Sequence, residues 1–161
     1  PLRAITADAG VDILSLGGTK NGMMYGECIV ALDPDAAPGL DYLRKMNMQL
    51  ASKMRFVSAQ FIALYGTDLW QRSASTANAM AARLRAAVEK IDGITLTQPT
   101  QSNAVFATLP AGVADKLRDK FRFYDWDQAT GEVRWMCTFD TTEADVDAFA
   151  AAIAEEVSAA R

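Results

Sequence analysis

The sequence predicts an α/β chain in two parts: a segment of two strands and long helices, followed by a small α+β domain with an antiparallel sheet. Three observations carry this. Two short apolar runs, partly β-branched, flank a glycine-rich corner near the start. The middle of the chain then changes to apolar spacings of three and four residues. The remainder reads β-β-α-β-β-α in short elements, the order of an antiparallel sheet with its helices gathered on one side.

The elements follow in order. "VDILSL" (residues 11–16) and "ECIVAL" (27–32) are the two strands, and Gly17, Gly18, Asn21, Gly22 and Gly26 break the chain between them. Lys20 sits at that corner, and Asp33-Pro34 ends the second strand. Leu50, Met54, Val57, Phe61 and Leu64 fall on one helical face that runs to Gly66. Asp68, with Gln71 three residues on, has the pattern of a capping box. Trp70, Ala77, Leu84, Val88 and Ile91 continue a stripe to Asp92-Gly93, a helix of about 24 residues and long for a globular domain. "ITLTQP" and "NAVFATLP" read as strands, 113–121 as a short helix, and "RFYDWD" with "EVRWMCTF" as a hairpin around Ala129-Thr130-Gly131. Thr141 or Thr142 caps a final helix that turns Val146, Phe149, Ile153 and Val157 inward. No internal repeat or low-complexity segment interrupts this order.

Composition narrows the function. Half of the 161 residues are hydrophobic, enough to bury roughly two-thirds of the unfolded surface. The net charge of −4, with no basic run or stripe, argues against nucleic acid as a partner. No apolar stretch has the length of a bilayer span and no signal peptide is visible, so no membrane association and a cytoplasmic location are expected. Cys28 and Cys137, far apart in apolar contexts, read as free buried thiols of a reducing compartment. There is no histidine, which removes the commonest general base and metal ligand. The acidic runs "TEADVD" and Glu155-Glu156 lack ligand spacing, and no metal site is expected. The chain opens at Pro1 without an initiator Met, and a piece of a longer product is expected.

Three cations are candidates for chemistry. Lys20, in "GGTKNG", has glycines that let the backbone approach a bulky group, and a fixed amine that can join a carbonyl. Thr19 beside it offers a hydroxyl suited to a phosphate oxygen. Spacing alone favours an exposed lysine in a glycine-rich turn over this chemistry, and the glycine pattern of a nucleotide P-loop is missing. Strand alternation puts Arg134 on one face with Met136 and Thr138, and Val133, Trp135 and Cys137 on the other. An arginine fork there suits a carboxylate, while a solvated hairpin arginine is the alternative. Arg55 lies beside its helix's apolar stripe, reaching solvent or a phosphate. Trp70, Tyr42, Tyr65 and Trp126 read as packing residues.

Taken together, "GVDILSLGGTKNGMMYGECIVAL", "QLASKMRFVSAQFIAL", "SNAVFATLP" and "GEVRWMCTFDTTEADVDAF" resemble, in order, segments of the low-specificity threonine aldolases. These are pyridoxal 5'-phosphate (PLP) enzymes of the aspartate-aminotransferase fold, grouped with the β-eliminating lyases. The resemblance covers nearly the whole chain and is weakest over 121–130. It implies the C-terminal part of a fold-type-I enzyme: residues 1–92 as the end of the large PLP-binding domain with its connecting helix, and 93–161 as the small α+β domain. It makes Lys20 the Schiff-base lysine and Arg134 the holder of the substrate's α-carboxylate. Arg55 and Thr19 become neighbours of the cofactor phosphate. The implied activity is cleavage of L-threonine or L-allo-threonine to glycine and an aldehyde, in a homodimer or homotetramer.

The histidines, the pyridine-binding aspartate and the phosphate loop of that family lie upstream of the lysine, and only nineteen residues precede Lys20 here. An N-terminal remainder of the same enzyme is therefore an expected partner, and the 161 residues alone are expected to be inactive. Another fold-type-I enzyme, a β-lyase or a serine hydroxymethyltransferase-like aldolase, would keep the same two residues. A non-catalytic interaction domain is the reading if these residues are the whole protein.

Overall fold

The computed structural model describes residues 2–161; Pro1, from which the first predicted part is counted, lies outside them. The chain forms two compact units, one reaching to Trp70 and the other Gln71–Arg161.

In the first unit, strands β1 (Ile13–Gly17) and β2 (Glu27–Ala31) pair antiparallel, from Ile13 opposite Ala31 to Gly17 opposite Glu27. The pleat half-buries Leu14, Leu16, Cys28 and Val30 on one face and leaves Ile13 and Ile29 exposed on the other. Beyond β2, the Asp33 carboxylate accepts the Asp35 N–H at 2.9 Å and opens a 3-10 turn at Pro34. Helix α1 (Leu40–Met46) has no buried residue, and α2 (Met54–Tyr65) buries Val57 and Leu64. The helical stripe expected from Leu50 thus begins only at Met54. Asn47 closes α1 with its N–H on Leu43, and Met48 turns into the left-handed region at φ 57°. That break takes Leu50 out of the helix and leaves it exposed.

Helix α3 (Leu69–Val88) starts directly after Asp68, where the Leu69 N–H donates to Thr67 Oγ1 at 3.2 Å. From Gln71 on, it belongs to the second unit. The sequence predicts a division at 92/93 instead. The units part at 70/71 because Ala81, Leu84 and Val88 of α3 are buried in the core of the second unit. Its sheet runs β3 (Thr95–Leu96), β4 (Ala104–Thr108), β6 (Glu132–Met136), β5 (Tyr124–Asp127), antiparallel throughout. Helices α4 (Val113–Arg118) and α5 (Glu143–Ala159) complete it. Val105, Ala107, Val133 and Trp135 face the core together with Val113, Leu117, Val146, Ala150, Ile153 and Val157. Each fully buried aliphatic side chain contributes about 1.5–3 kcal/mol.

Helix α5 is entered through a complete capping box. Thr142 Oγ1 accepts the Asp145 N–H, and the Asp145 carboxylate accepts the Thr142 N–H at 2.9 Å. The Arg83 guanidinium of α3 donates twice to the Asp147 carboxylate of α5, at 2.9 and 2.8 Å. Both cysteines are free thiols, Cys137 buried and Cys28 half-buried, and burial pushes the pKa of each up. Among the described residues no helix is long and apolar enough to cross a membrane, and no cluster of His, Cys, Asp and Glu could hold a metal ion.

Candidate functional site

The corner between β1 and β2 is a built structure. Residues Thr19–Asn21 form one 3-10 turn. The Gly18 N–H donates to the Gly26 carbonyl at 3.1 Å, and the Met23 and Asn21 N–H groups donate back to the Gly18 carbonyl at 3.1 and 3.0 Å. Met23 is 7% exposed and fills the space that side chains at two glycines would need. A Cβ on Gly18 would lie 1.9 Å from Met23 Sδ. A Cβ on Gly26 would lie 2.6 Å from Met23 Cε and 3.0 and 3.2 Å from Phe61 and Val57 of α2. The glycines therefore serve close packing against α2.

Further bonds pin the corner from outside. Asn21 Nδ2 donates to the Trp70 carbonyl at 3.0 Å, the Met24 N–H donates to Gln60 Oε1 at 2.9 Å, and the Tyr65 hydroxyl donates to the Gly17 carbonyl. Burial first, then the nearby Cys28 and Glu27, raises the pKa of Tyr65, so it stays a protonated donor at neutral pH. Thr19 Oγ1 accepts the Gly26 N–H at 3.0 Å, which gives this hydroxyl a turn-holding role and leaves its own proton free. At the apex, Lys20 is exposed and has neither an ion pair nor a hydrogen bond among the described residues. A fixed backbone thus carries an unpartnered primary amine.

Arg55 lies in the first turn of α2, the helix against which the corner packs. It is exposed, stacks 5.0 Å from the centroid of Phe56, and has no carboxylate partner among the described residues. Thr19, Lys20 and Arg55 therefore belong to the first unit and Arg134 to the second.

Arg134 occupies the centre of β6, opposite Phe106 of β4 on one side and Tyr124 of β5 on the other. Alternation works as predicted: Val133, Trp135 and Cys137 are buried, and Arg134 is half-buried on the face away from the core, with Met136 exposed beside it. On that face Glu132 is already committed, accepting hydrogen bonds from Thr97 Oγ1 and Gln98 Nε2. Arg134 has no carboxylate partner among the described residues. Its guanidinium lies 4.5 Å from the centroid of Trp126. Sequence reasoning placed Trp126 with the packing residues. Aromatic–X–aromatic spacing in a hairpin strand was the only available sign, since the bulge that aims Trp126 depends on cross-strand register.

No family model matches the chain. It is 42% identical over 156 residues to the low specificity L-threonine aldolase of a Pseudomonas species, covering 96% of this chain and 45% of that protein. The low specificity L-threonine aldolase of Pseudomonas aeruginosa is also 42% identical, over 134 residues, covering 83% of this chain and 38% of its own. A solved structure of a Leishmania major threonine aldolase superimposes with TM-score 0.81 at 27% identity, over 91% of this chain and 44% of that one. The chain thus spans less than half the length of the curated relatives it matches, and the matched region is the C-terminal part. The resemblance drawn from the sequence is supported, and the fold is that of the C-terminal part of a threonine aldolase, a fold-type-I PLP enzyme.

Proposed function

We propose that this chain supplies the cofactor-anchoring lysine and the carboxylate clamp of a PLP-dependent carbon–carbon lyase. Its substrates are β-hydroxy-α-amino acids such as L-threonine and L-allo-threonine, cleaved to glycine and an aldehyde. One observation supports this above the others: the unpartnered amine of Lys20 on a corner pinned by Gly18, Met23, Asn21 and Tyr65, in a chain 42% identical to threonine aldolases.

The residues fit the cofactor chemically. Lys20 offers the amine that can bond a carbonyl carbon. Arg55 offers a cation without an internal anion, suited to a phosphate, and Thr19 holds the turn that carries the lysine. When bound, PLP supplies an electron sink for the pair of electrons left at Cα. Arg134 grips the substrate carboxylate through its fork, and so fixes which bond at Cα stands ready to break. Cleaving Cα–Cβ also requires removal of the β-hydroxyl proton. The chain contains no histidine, and by its resemblance to the threonine aldolases this step would fall to a histidine of an N-terminal remainder.

The surface of the first unit supports a larger assembly. Tyr42, Met46, Met48, Phe56 and Ile62 are all exposed, and exposed large apolar side chains suit an interaction surface. The N-terminal remainder and a second copy of the protein would cover it, in a cytoplasmic homodimer or homotetramer.

The test is borohydride reduction of the complete protein with PLP, followed by peptide mass analysis and an assay for aldehyde from threonine and allo-threonine. A pyridoxyl adduct on the peptide containing Lys20, absent in Lys20→Ala, is expected together with aldehyde release. Arg134→Ala should raise KM by roughly tenfold to a hundredfold, the loss of one charge-assisted pair. An adduct on another lysine, or no aldehyde from either substrate, would refute the proposal.

A further inference from the structure

We infer that Trp126 is a positioning residue that holds the Arg134 guanidinium for the substrate carboxylate. The inference deepens the lyase reading above and rests on it. The pairing of β5 with β6 slips at this residue. Tyr124 opposes Arg134 and Asp125 opposes Val133, yet it is Asp127 that opposes Glu132, so Trp126 is the extra residue of a bulge. A bulge re-aims its side chain. Here it brings the indole ring to 4.5 Å from the guanidinium carbon, well inside cation–π range.

The indole is itself fixed from the far side. Phe106, the β4 residue opposite Arg134, meets Trp126 edge to face at 5.4 Å. The series Phe106, Trp126, Arg134 therefore orders a long, flexible side chain without using any of its N–H donors. A carboxylate from the protein would order it as well, but would occupy the fork and compete with the substrate. None is present among the described residues: Glu132, two residues along the strand on the same face, is taken by Thr97 and Gln98. Asp125 is paired with Arg118. Stacking leaves the five donors of the arginine unspent.

The test compares two ligands that differ only in the carboxylate, glycine and methylamine, binding to the complete PLP-loaded protein by calorimetry. Trp126→Ala should weaken glycine about tenfold, from the upper part of the cation–π range, and leave methylamine unchanged. Trp126→Phe keeps a ring and should restore most of the glycine affinity. Unchanged glycine binding, or equal weakening of both ligands, would overturn the inference, the latter marking Trp126 as merely structural.

An arginine-directed dicarbonyl gives a readout that needs no cofactor. With phenylglyoxal, adduct formation at Arg134 should be several-fold faster in Trp126→Ala than in the parent, and equal rates would overturn the stack. If the parent cleaves no threonine, the lyase reading falls alone, and the phenylglyoxal rates still decide whether Trp126 holds Arg134.

Discussion

Replacing Gly26 by alanine should loosen the corner that carries Lys20, by an amount the packing allows one to work out. Gly26 has φ 156°, a backbone that side chains rarely adopt, and such strain costs on the order of 1–3 kcal/mol. The new Cβ would also meet Met23 Cε at 2.6 Å, with Phe61 and Val57 close behind at 3.0 and 3.2 Å. The methionine end is flexible and can yield, but α2 holds the other two, and overpacking of this kind costs about 1–3 kcal/mol. Partial relaxation brings the sum to roughly 3 kcal/mol, which is about a hundredfold in the equilibrium for local opening. Amide hydrogen exchange at Gly18 and Met23 reads that opening directly, because their N–H groups bond to Gly26 and Gly18 within the corner. Both should exchange about a hundredfold faster in Gly26→Ala. Met23→Ala, which empties a buried site, should destabilise the corner by itself. Combined, the two changes should cost less than their sum by about 0.5–3 kcal/mol, since the added methyl partly fills the space the methionine leaves. Strict additivity, or unchanged exchange in Gly26→Ala, would refute the claim that Met23 wedges the corner.

Other perturbations test the second unit. Trp135 is 2% exposed and its indole N–H has no hydrogen-bond partner among the described residues. Trp135→Ala should cost about 3–5 kcal/mol. Trp135→Phe should cost well under half of that in urea unfolding, because it keeps a ring for Phe123 and Phe149 and deletes the orphan donor. Thr142→Ala should cost about 1 kcal/mol by removing the cap of α5, with a lower thermal midpoint as the readout. Asp145 and Asp147 both have pKa values below the usual aspartate value of 3.8, held there first by hydrogen bonds from Thr142 and Arg83 respectively. A depressed folded-state pKa gives stability that is complete above the ordinary value and lost as pH falls through the folded one. Acid unfolding of Asp145→Asn and Asp147→Asn should therefore show a shallower loss of stability below about pH 4 than the parent.

What could be read from the sequence followed the range of the interaction involved. The β1–β2 strands, the hairpin of β5 and β6 and the capped start of α5 rest on contacts no more than 18 residues apart in sequence (Ile13 to Ala31), and each lies where its residues predict. The helical stripe from Leu50 failed for a related reason. Apolar spacing continues in phase across residues 47–53, while the left-handed Met48 interrupts the backbone itself. The border at 70/71 was hidden for the opposite reason. Only tertiary packing shows that Ala81, Leu84 and Val88 of α3 are committed to the second core. The bulge at Trp126 was likewise hidden, because register is a property of two strands and no single-strand pattern encodes it.

The candidate site shows the same division. Lys20 and Arg134 could be selected by residue type and setting, yet an unpaired cation is a weak sign, since Lys90 and Lys120 are also exposed without an ion pair among the described residues. What separates Lys20 and Arg134 is how their surroundings constrain them. Lys20 projects from a turn in which Gly18, Thr19, Met23 and Asn21 each fix a backbone atom. Arg134 springs from a central strand and is held by a ring that is itself held. Ordering a free cation costs conformational entropy, up to about 2 kcal/mol for a long side chain. Where the fold meets that cost before any ligand arrives, the charge is preorganised for an external anion or carbonyl. The surface lysines at helix ends have no such support. By this criterion Arg55 ranks below Arg134, while Lys20 is fixed through its backbone alone. Its only stacking partner among the described residues is the adjacent and exposed Phe56, so a phosphate would have to order the side chain itself. Arg55→Ala should accordingly weaken cofactor retention less than Lys20→Ala abolishes it, as equilibrium dialysis of PLP would show. Complete loss of PLP from the Arg55 variant would contradict this ranking.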